Sequence, residues 1–278
     1  ETGPARVRDV VAAYVGLMKP RVIELLLLTT VPVMFFAARG VPDLGLVVAT
    51  VVGGTLSAGS ASAFNNVYDR DIDEQMRRTR RRALPRHIVS PLSATVFAFV
   101  LAIVSTAVLW YFVNPLSAGL SLAANAFYVL VYTMVLKRRT TQNIVWGGLA
   151  GCFPALIGWT AVTGALDLSA FYLFAIIFFW TPPHTWALAL LVKKDYAQAR
   201  VPMLPVIVGE KETTYQIFLY SILLITLTLL PFTFNMLSWV YLIVATLLGA
   251  RFIYLAWKLW RNYDKSVSRQ LYKFSQAY

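Results

Sequence analysis

Long apolar segments dominate this sequence and constrain its fold more than any other feature. Eight of them approach the roughly 20 residues that an α-helix needs to cross a bilayer. The predicted spans are Val22–Ala38, Leu44–Phe64, Leu92–Val113, Leu116–Leu136, Ile144–Val162, Leu168–Val192, Tyr215–Phe234 and Leu237–Trp257. Only 14% of the residues are charged, well below the roughly 25% of a soluble domain. We therefore predict an all-α, polytopic transmembrane helix bundle.

Basic residues lie almost entirely on one side of these predicted spans. Of the 25 lysines and arginines, all except Arg39 and Arg251 precede the first span or follow the second, fourth, sixth or eighth. The positive-inside rule places these segments, and with them both ends of the sequence, in the cytoplasm. Orientation in a lipid membrane thus accounts for the net charge of +12. We predict no nucleic-acid partner.

The longest connections lie on the same predicted side. Segments 65–90 and 193–214 are long, whereas the turns on the opposite side are short. Since function concentrates in long loops, we predict a single domain, residues 1–278, whose central cavity opens to the cytoplasm under these two loops. The final residues, Lys273–Tyr278, resemble the start of a further helix.

The densest cluster of acidic side chains follows the second span. Asn65, Asp69 and Asp73 are four residues apart, so on a helix they line one face. Their oxygen atoms suit Mg²⁺, which takes one or two carboxylates and completes its shell with water and substrate phosphates. The spacing therefore predicts a magnesium site.

Arginines follow these acids directly. Arg77 extends the same face by one turn, and Arg80 and Arg82 come next, with donors suited to phosphate oxygens. Acids beside arginines predict a magnesium-bridged diphosphate, while Asp71 and Glu74 are expected to pair with nearby arginines. The alternative is a charge cluster at the membrane surface whose ions pair with each other and with lipid headgroups.

Polar residues at two other span ends are further candidates. Lys137 ends the fourth span and is placed to neutralise a diphosphate, although the positive-inside rule explains it equally well. Lys194 and Asp195 follow the sixth span. Within that span, His184 follows Pro182 and Pro183, and an ionisable group inside a membrane is a functional candidate by default.

The acidic spacing resembles the first aspartate-rich motif of the UbiA-type intramembrane prenyltransferases. The run from Asp69 to Pro85 is similar to one branch of that superfamily, the protoheme IX farnesyltransferases or haem O synthases. Further similar segments span nearly the whole chain. They are Lys19–Glu24, Tyr132–Ile144, Gly147–Gly151, Trp180–Ala189 and Lys194–Val206. The chain departs from the superfamily at Ala199, where the second motif has an aspartate.

The resemblance implies a reaction. Farnesyl diphosphate would donate its farnesyl group to a vinyl group of haem B, which gives haem O. The residues implied for Mg²⁺ are Asn65, Asp69 and Asp73, with help from Asp195. Those implied for the diphosphate are Arg77, Arg80, Arg82, Lys137 and Lys194.

The resemblance also implies haem contacts, a location and partners. His184 and Trp186 would contact haem, with iron ligation by His184 as one reading. The other reading is a histidine that bonds a carbonyl freed by a proline kink. A bacterial plasma membrane and a ninth helix beyond this sequence are also implied. Haem A synthase, oxidase assembly factors and a second copy of the chain are open as partners.

Two other functions compete with this one. The first is prenylation of a quinone precursor or chlorophyllide, against which the segment Trp180–Ala189 argues. The second is a transporter, or a lipid-binding membrane protein whose arginines hold anionic headgroups. A transporter needs polar or broken helices at the bilayer midplane, whereas most polar residues here cluster at one membrane surface.

Overall fold

The structure is a computed structural model that describes residues 7–77, 79–233 and 237–278, and these residues form helices without any β-strand. The helices are α1 Val7–Met18, α2 Pro20–Ala38, α3 Leu44–Tyr68, α4 Arg70–Gln75, α5 Pro91–Phe112, α6 Pro115–Ala126, α7 Lys137–Arg139, α8 Asn143–Gly147, α9 Leu149–Thr163, α10 Leu168–Leu191, α11 Lys193–Gln198, α12 Leu204–Ile207, α13 Gly209–Thr233, α14 Trp239–Arg261 and α15 Lys265–Ala277. A π-helix, Phe127–Leu136, joins α6 to α7.

Eight helical stretches are long and apolar enough to cross a membrane, as predicted. They are α2, α3, α5, the run from α6 to α7, the run from α8 to α9, α10, α13 and α14. The protein is therefore an integral membrane protein. The boundaries differ locally: α13 begins at Gly209 rather than Tyr215, and the predicted end at Phe234 lies outside the described residues.

The chain forms two compact units that alternate along the sequence. Among the described residues, unit 1 takes those up to Val135 together with Phe153–Ala170. Unit 2 takes Leu136–Cys152 and Phe171–Tyr278. The prediction of a single domain stays a prediction.

Small residues let α3 and α5 of unit 1 approach closely. The Ser60 hydroxyl donates to the Ala98 carbonyl at 2.8 Å, and Ser105 donates to the Gly53 carbonyl at 2.7 Å. A side chain at Gly53 would meet Leu109 within 2.5 Å. The close α3–α5 contact therefore depends on Gly53 and Ser60 of α3 and on Ser105 of α5.

Helix α1 closes unit 1 around that last turn. Its buried residues Ala13 and Leu17 pack into a cluster with Ala63 of α3 and Ala94 of α5. The Leu17 carbonyl also accepts a hydrogen bond from Asn66 at 2.9 Å. The end of α1, beside its junction with α2, is thus held against the end of α3.

In unit 2, α15 packs along α10. The Ser268 hydroxyl donates to the Ala187 carbonyl at 2.8 Å, and both residues are fully buried. Of the residues predicted to start a further helix, Lys273–Ala277 belong to α15, which already begins at Lys265. The predicted start of this helix was wrong, because the first half of α15 is polar and a hydropathy pattern does not indicate a helix there.

We expect Gly158→Ala to lower the unfolding temperature of the purified protein in detergent. A Cβ at this position of α9 would lie 2.5 Å from the Thr30 backbone carbonyl of α2, and overpacking of this kind typically costs about 1–3 kcal/mol. The matched control is Gly54→Ala in α3, whose Cβ would meet nothing within 4 Å. Equal unfolding temperatures for both variants would contradict the close α2–α9 approach.

Candidate active site

The predicted acidic face lies at a junction between two helices. Helix α3 ends at Tyr68, and Asp69 connects it to α4. Backbone hydrogen bonds from Asp69 to Asn65 at 2.9 Å and from Asp73 to Asp69 at 2.8 Å keep the spacing of an α-helix across the junction. As a result, the Asn65 amide donates to the Asp69 carboxylate at 2.7 Å.

These three side chains are almost completely removed from solvent. The exposed fraction is 3% for Asn65, 0% for Asp69 and 3% for Asp73. A buried carboxylate is costly unless charged or hydrogen-bonding partners compensate it. The partners of this cluster therefore decide what it can bind.

Lys19 is one such partner, whereas the sequence indicated only a basic residue before the first span that could pair with Glu24. Its ammonium donates to the Asn65 carbonyl oxygen at 2.5 Å. The residue connects α1 to α2 with φ 56° and ψ 67°, a left-handed conformation that costs a non-glycine residue on the order of 1–3 kcal/mol. Strain of this kind is typical of functional sites, and here it directs a cation onto the acidic cluster.

Thr133 supports the same asparagine from the π-helix. The Asn65 amide donates to the Thr133 hydroxyl at 3.1 Å, and that hydroxyl donates to the Tyr128 carbonyl, five residues earlier, at 2.8 Å. The five-residue step matches π-helical geometry, which is rare and frequent at functional sites. The sequence gives no sign of this contact, because the apolar run Phe127–Leu136 looks like ordinary α-helix.

The side chain of Arg82 forms an ion pair with Asp73. One guanidinium nitrogen, Nη1, donates to the Asp73 carboxylate at 2.7 Å and to the Asn66 side-chain oxygen at 3.1 Å. The roles of Arg82 at a diphosphate, and of Asp71 and Glu74 as partners of the local arginines, stay predictions. The partner of Arg82 is one of the predicted metal ligands.

Arg77 does not extend the acidic face, contrary to the prediction. Helix α4 ends at Gln75, and Met76 has extended backbone with φ −92° and ψ 128°. The Thr79 hydroxyl donates to the Asp73 carbonyl at 3.0 Å, which takes the acceptor that the Arg77 amide would use if the helix continued. Arg77 and Arg80 are both exposed, and Arg78 lies outside the described residues.

The donor set fits an open magnesium site. Among residues 7–77, 79–233 and 237–278, no three His, Cys, Asp or Glu side chains converge so that they could hold a metal ion by themselves. What unit 1 offers is two buried carboxylates and one amide oxygen on successive turns. Such a set leaves positions for water and substrate phosphate, as Mg²⁺ requires.

The predicted polar residues of unit 2 lie at helix ends. Lys137 begins α7, and Lys194 and Asp195 lie in the first turn of α11. Lys194 is exposed and Asp195 is half-buried. The neighbouring Lys193 ammonium forms an ion pair with Glu210 at 3.5 Å. The roles of Lys137, Lys194 and Asp195 stay predictions.

His184 lies in α10 with its imidazole held by α15. Its Nδ1 atom is 2.7 Å from the Ser275 hydroxyl. The ring stacks on Trp180 at 4.2 Å between centroids and meets Tyr272 at 4.9 Å. The alternative prediction was that His184 bonds a backbone carbonyl freed by the proline kink. It is wrong for the Nδ1 atom, because the partner of that atom is a side-chain hydroxyl.

Trp186 does not present a surface to a ligand. Only 1% of the residue is exposed, and its ring meets that of Tyr220 edge to face at 5.4 Å. Trp186 packs between α10 and α13 in this structure, and its contact with haem stays a prediction. A tryptophan in an apolar span carries no local signal that separates these two roles.

Comparison with known families decides the class of this site. Residues 26–277 match the model of the UbiA prenyltransferase family. The chain belongs to the UbiA prenyltransferase family. It is a prenyltransferase, which accords with buried acids and nearby cations at the end of a membrane span.

Similar curated proteins carry a more specific name. A protoheme IX farnesyltransferase from Nocardioides sp. is 68% identical over 256 residues, which cover 92% of this chain and 82% of that protein. Another protoheme IX farnesyltransferase, from Cutibacterium acnes, is 53% identical over 266 residues, with 96% and 79% covered.

Solved structures share the fold at low sequence identity. A digeranylgeranylglyceryl phosphate synthase structure has a TM-score of 0.80 at 17% identity and covers 97% of this chain and 94% of its own. A UbiA homolog from Archaeoglobus fulgidus, bound to DMAPP and Mg²⁺, has a TM-score of 0.73 at 15% identity, with 95% and 98% covered. These likenesses establish the fold.

We expect Arg82→Gln to destabilise the protein by about 1–3 kcal/mol, because it leaves the buried Asp73 carboxylate without its cationic partner. Thermal unfolding in detergent measures the effect. Arg80→Gln removes an exposed guanidinium of the same loop and should leave the unfolding temperature unchanged. If both variants unfold at the wild-type temperature, the Arg82–Asp73 ion pair contributes nothing to stability.

Proposed function

We propose that this prenyltransferase transfers the farnesyl group of farnesyl diphosphate to a vinyl group of haem B, giving haem O. The observation that carries the substrate assignment is the 68% identity, over 92% of the chain, to a protein named protoheme IX farnesyltransferase. The buried acidic cluster at the end of α3 supports the chemistry, since ionisation of a diphosphate ester needs a cation beside the leaving group.

Asn65, Asp69 and Asp73 would hold Mg²⁺. The A. fulgidus homolog, solved with DMAPP and Mg²⁺, supports a divalent metal in this family. Mg²⁺, when bound, neutralises charge that develops on the departing diphosphate. Lys19 supports the same task, because its ammonium already lies on the Asn65 oxygen and adds positive charge at this place.

Arg82 contributes by orientation rather than by phosphate contact. Its bond to one oxygen of Asp73 fixes the orientation of the carboxylate and leaves the other oxygen for the proposed metal. For the diphosphate contacts we propose the exposed Arg77, Arg80 and Lys194, together with the half-buried Lys137. Asp195 is proposed as an additional acidic group for the metal.

The proposed reaction proceeds in three bond changes. The bond between the farnesyl C1 and the diphosphate oxygen breaks, and diphosphate leaves with the electron pair. The haem vinyl group then supplies the electron pair for a new carbon–carbon bond to C1. Water adds to the resulting cation and loses a proton, which gives a hydroxyethylfarnesyl side chain. Electrostatic stabilisation of the leaving diphosphate supplies the main rate enhancement.

His184 is proposed as the protein ligand of the haem iron. It is half-buried and lies in the membrane span α10, where apolar surroundings suit a porphyrin. We further propose a bacterial plasma-membrane location with both described chain ends in the cytoplasm. The basic residues that follow alternate spans support this orientation.

The function is tested by incubating the purified protein in lipid nanodiscs with haem B, farnesyl diphosphate and Mg²⁺, followed by mass analysis of the pigment. We expect a farnesylated, hydrated haem that is absent when EDTA replaces Mg²⁺ and returns when Mg²⁺ is restored. No haem product in several lipids, together with prenylation of an aromatic quinone precursor, would overturn the haem assignment.

Asp69→Asn should reduce turnover by about 100-fold or more, because the variant loses a buried charge at the proposed metal site. Glu74→Gln is the matched control: it neutralises an exposed carboxylate of α4 and should retain turnover. Rates are measured at saturating Mg²⁺ to separate weak metal binding from lost chemistry. Turnover that is equal in the two variants would refute the metal role of Asp69.

A further inference from the structure

Ser275 of α15 forms hydrogen bonds with two neighbouring aromatic residues of α10. Its backbone carbonyl accepts a hydrogen bond from the Trp180 indole at 2.7 Å. Its hydroxyl oxygen lies 2.7 Å from Nδ1 of His184, which is one helical turn further along α10. The same hydroxyl is 2.7 Å from the Tyr272 carbonyl in its own helix. One serine is thus bonded to both side chains that flank the Pro182–Pro183 step.

The direction of these bonds follows from the number of protons. A serine hydroxyl has one proton to donate, and a backbone carbonyl can only accept. If the hydroxyl donated to His184, its oxygen and the Tyr272 carbonyl oxygen would oppose each other at 2.7 Å with no proton between them. The hydroxyl therefore donates to Tyr272, and Nδ1 of His184 must be the donor to Ser275.

The structure assigns Ser275 as a positioning residue that keeps the His184 proton on Nδ1 and leaves the electron pair on Nε2. In a neutral imidazole, a proton on one nitrogen makes the other the acceptor or metal ligand. Within the described parts of the chain, no hydrogen bond involves Nε2 of His184. This nitrogen is therefore the atom of the ring that a ligand can use.

Ring contacts fix the orientation of the same imidazole. It lies nearly parallel to Trp180, with an interplanar angle of 17°, and meets Tyr272 at 33°. The Trp180 ring is itself fixed by its bond to the Ser275 carbonyl. Hydrogen bond and stacking together leave His184 little freedom to rotate, so the direction of its Nε2 electron pair is set before a ligand arrives.

Iron of haem B is the ligand class that this arrangement fits, a step that rests on the proposed function. Iron takes an imidazole nitrogen that carries no proton. Metal-ligating histidines commonly donate their other N–H to a fixed acceptor, and loss of that acceptor typically costs about 10- to 100-fold in affinity. Ser275 supplies the acceptor in this protein.

The first test needs no haem. The chain contains only two histidines, so the protein labelled with ¹⁵N-histidine gives two pairs of imidazole-nitrogen signals, and His87→Gln identifies the pair of His184. In proteoliposomes at neutral pH, wild-type His184 should carry its proton on Nδ1. Ser275→Ala should shift the population toward the Nε2-protonated form, and Ser275→Thr, which keeps the hydroxyl, should preserve the wild-type signal.

Ser268→Ala is the matched control. Ser268 lies in the same helix, is equally buried and also bonds α10, through the Ala187 carbonyl, but it does not contact His184. Its variant should leave the His184 signal unchanged although it removes one α10–α15 hydrogen bond. A wild-type proton on Nε2, or an equal change in Ser275→Ala and Ser268→Ala, would overturn the positioning role.

The second test titrates haem B and follows the absorbance of the imidazole–iron complex. We expect Ser275→Ala to raise Kd about 10- to 100-fold, and Ser275→Thr and Ser268→Ala to bind like the wild type. If His184→Ala leaves the haem spectrum unchanged while the ¹⁵N signals behave as expected, the proposed iron ligation fails and the positioning role stands. The two inferences therefore fail separately.

Discussion

Two carboxylates removed from water at the end of a membrane span are the constraint on which unit 1 depends. Asp69 and Asp73 are buried, and burial of a carboxylate is unfavourable unless nearby groups compensate it. Arg82 compensates Asp73 directly, and Lys19 brings a second cation to the cluster through Asn65. Both cations come from outside α3, so α1 and the loop after α4 must fold against α3 to stabilise its charged end.

The backbone of unit 1 departs from regular helix at the two places that serve this cluster. Lys19 is left-handed, and Phe127–Leu136 is π-helical. Both irregular elements place a side chain on Asn65: an ammonium from Lys19 and a hydroxyl from Thr133. Backbone strain and π-helical turns are each less stable than α-helix, and both tend to occur at functional sites. Because both irregular elements contact Asn65, we infer that they serve to fix the orientation of this side chain.

Unit 2 applies the same principle to a neutral group. His184 is oriented by Ser275 and Trp180, without a charged partner among its described contacts. A neutral imidazole with a fixed tautomer suits metal ligation in an apolar span, whereas an acidic cluster suits a hydrated cation and a diphosphate. The two units therefore offer different chemistry: a charged cluster in unit 1 and an imidazole without a charged partner among its described contacts in unit 2.

The sequence by itself determined the eight spans and the contact between Asn65 and Asp69. These depend on hydropathy and on the four-residue spacing of a helix, both of which are local. Only the tertiary structure decided which partners each polar group has. Arg77 left the predicted face because Thr79 takes the Asp73 carbonyl, and Ser275 reaches His184 from 91 positions away. Such contacts depend on how helices that are distant in sequence pack together. Hydropathy and helical spacing do not specify this packing, because both are local properties of the sequence.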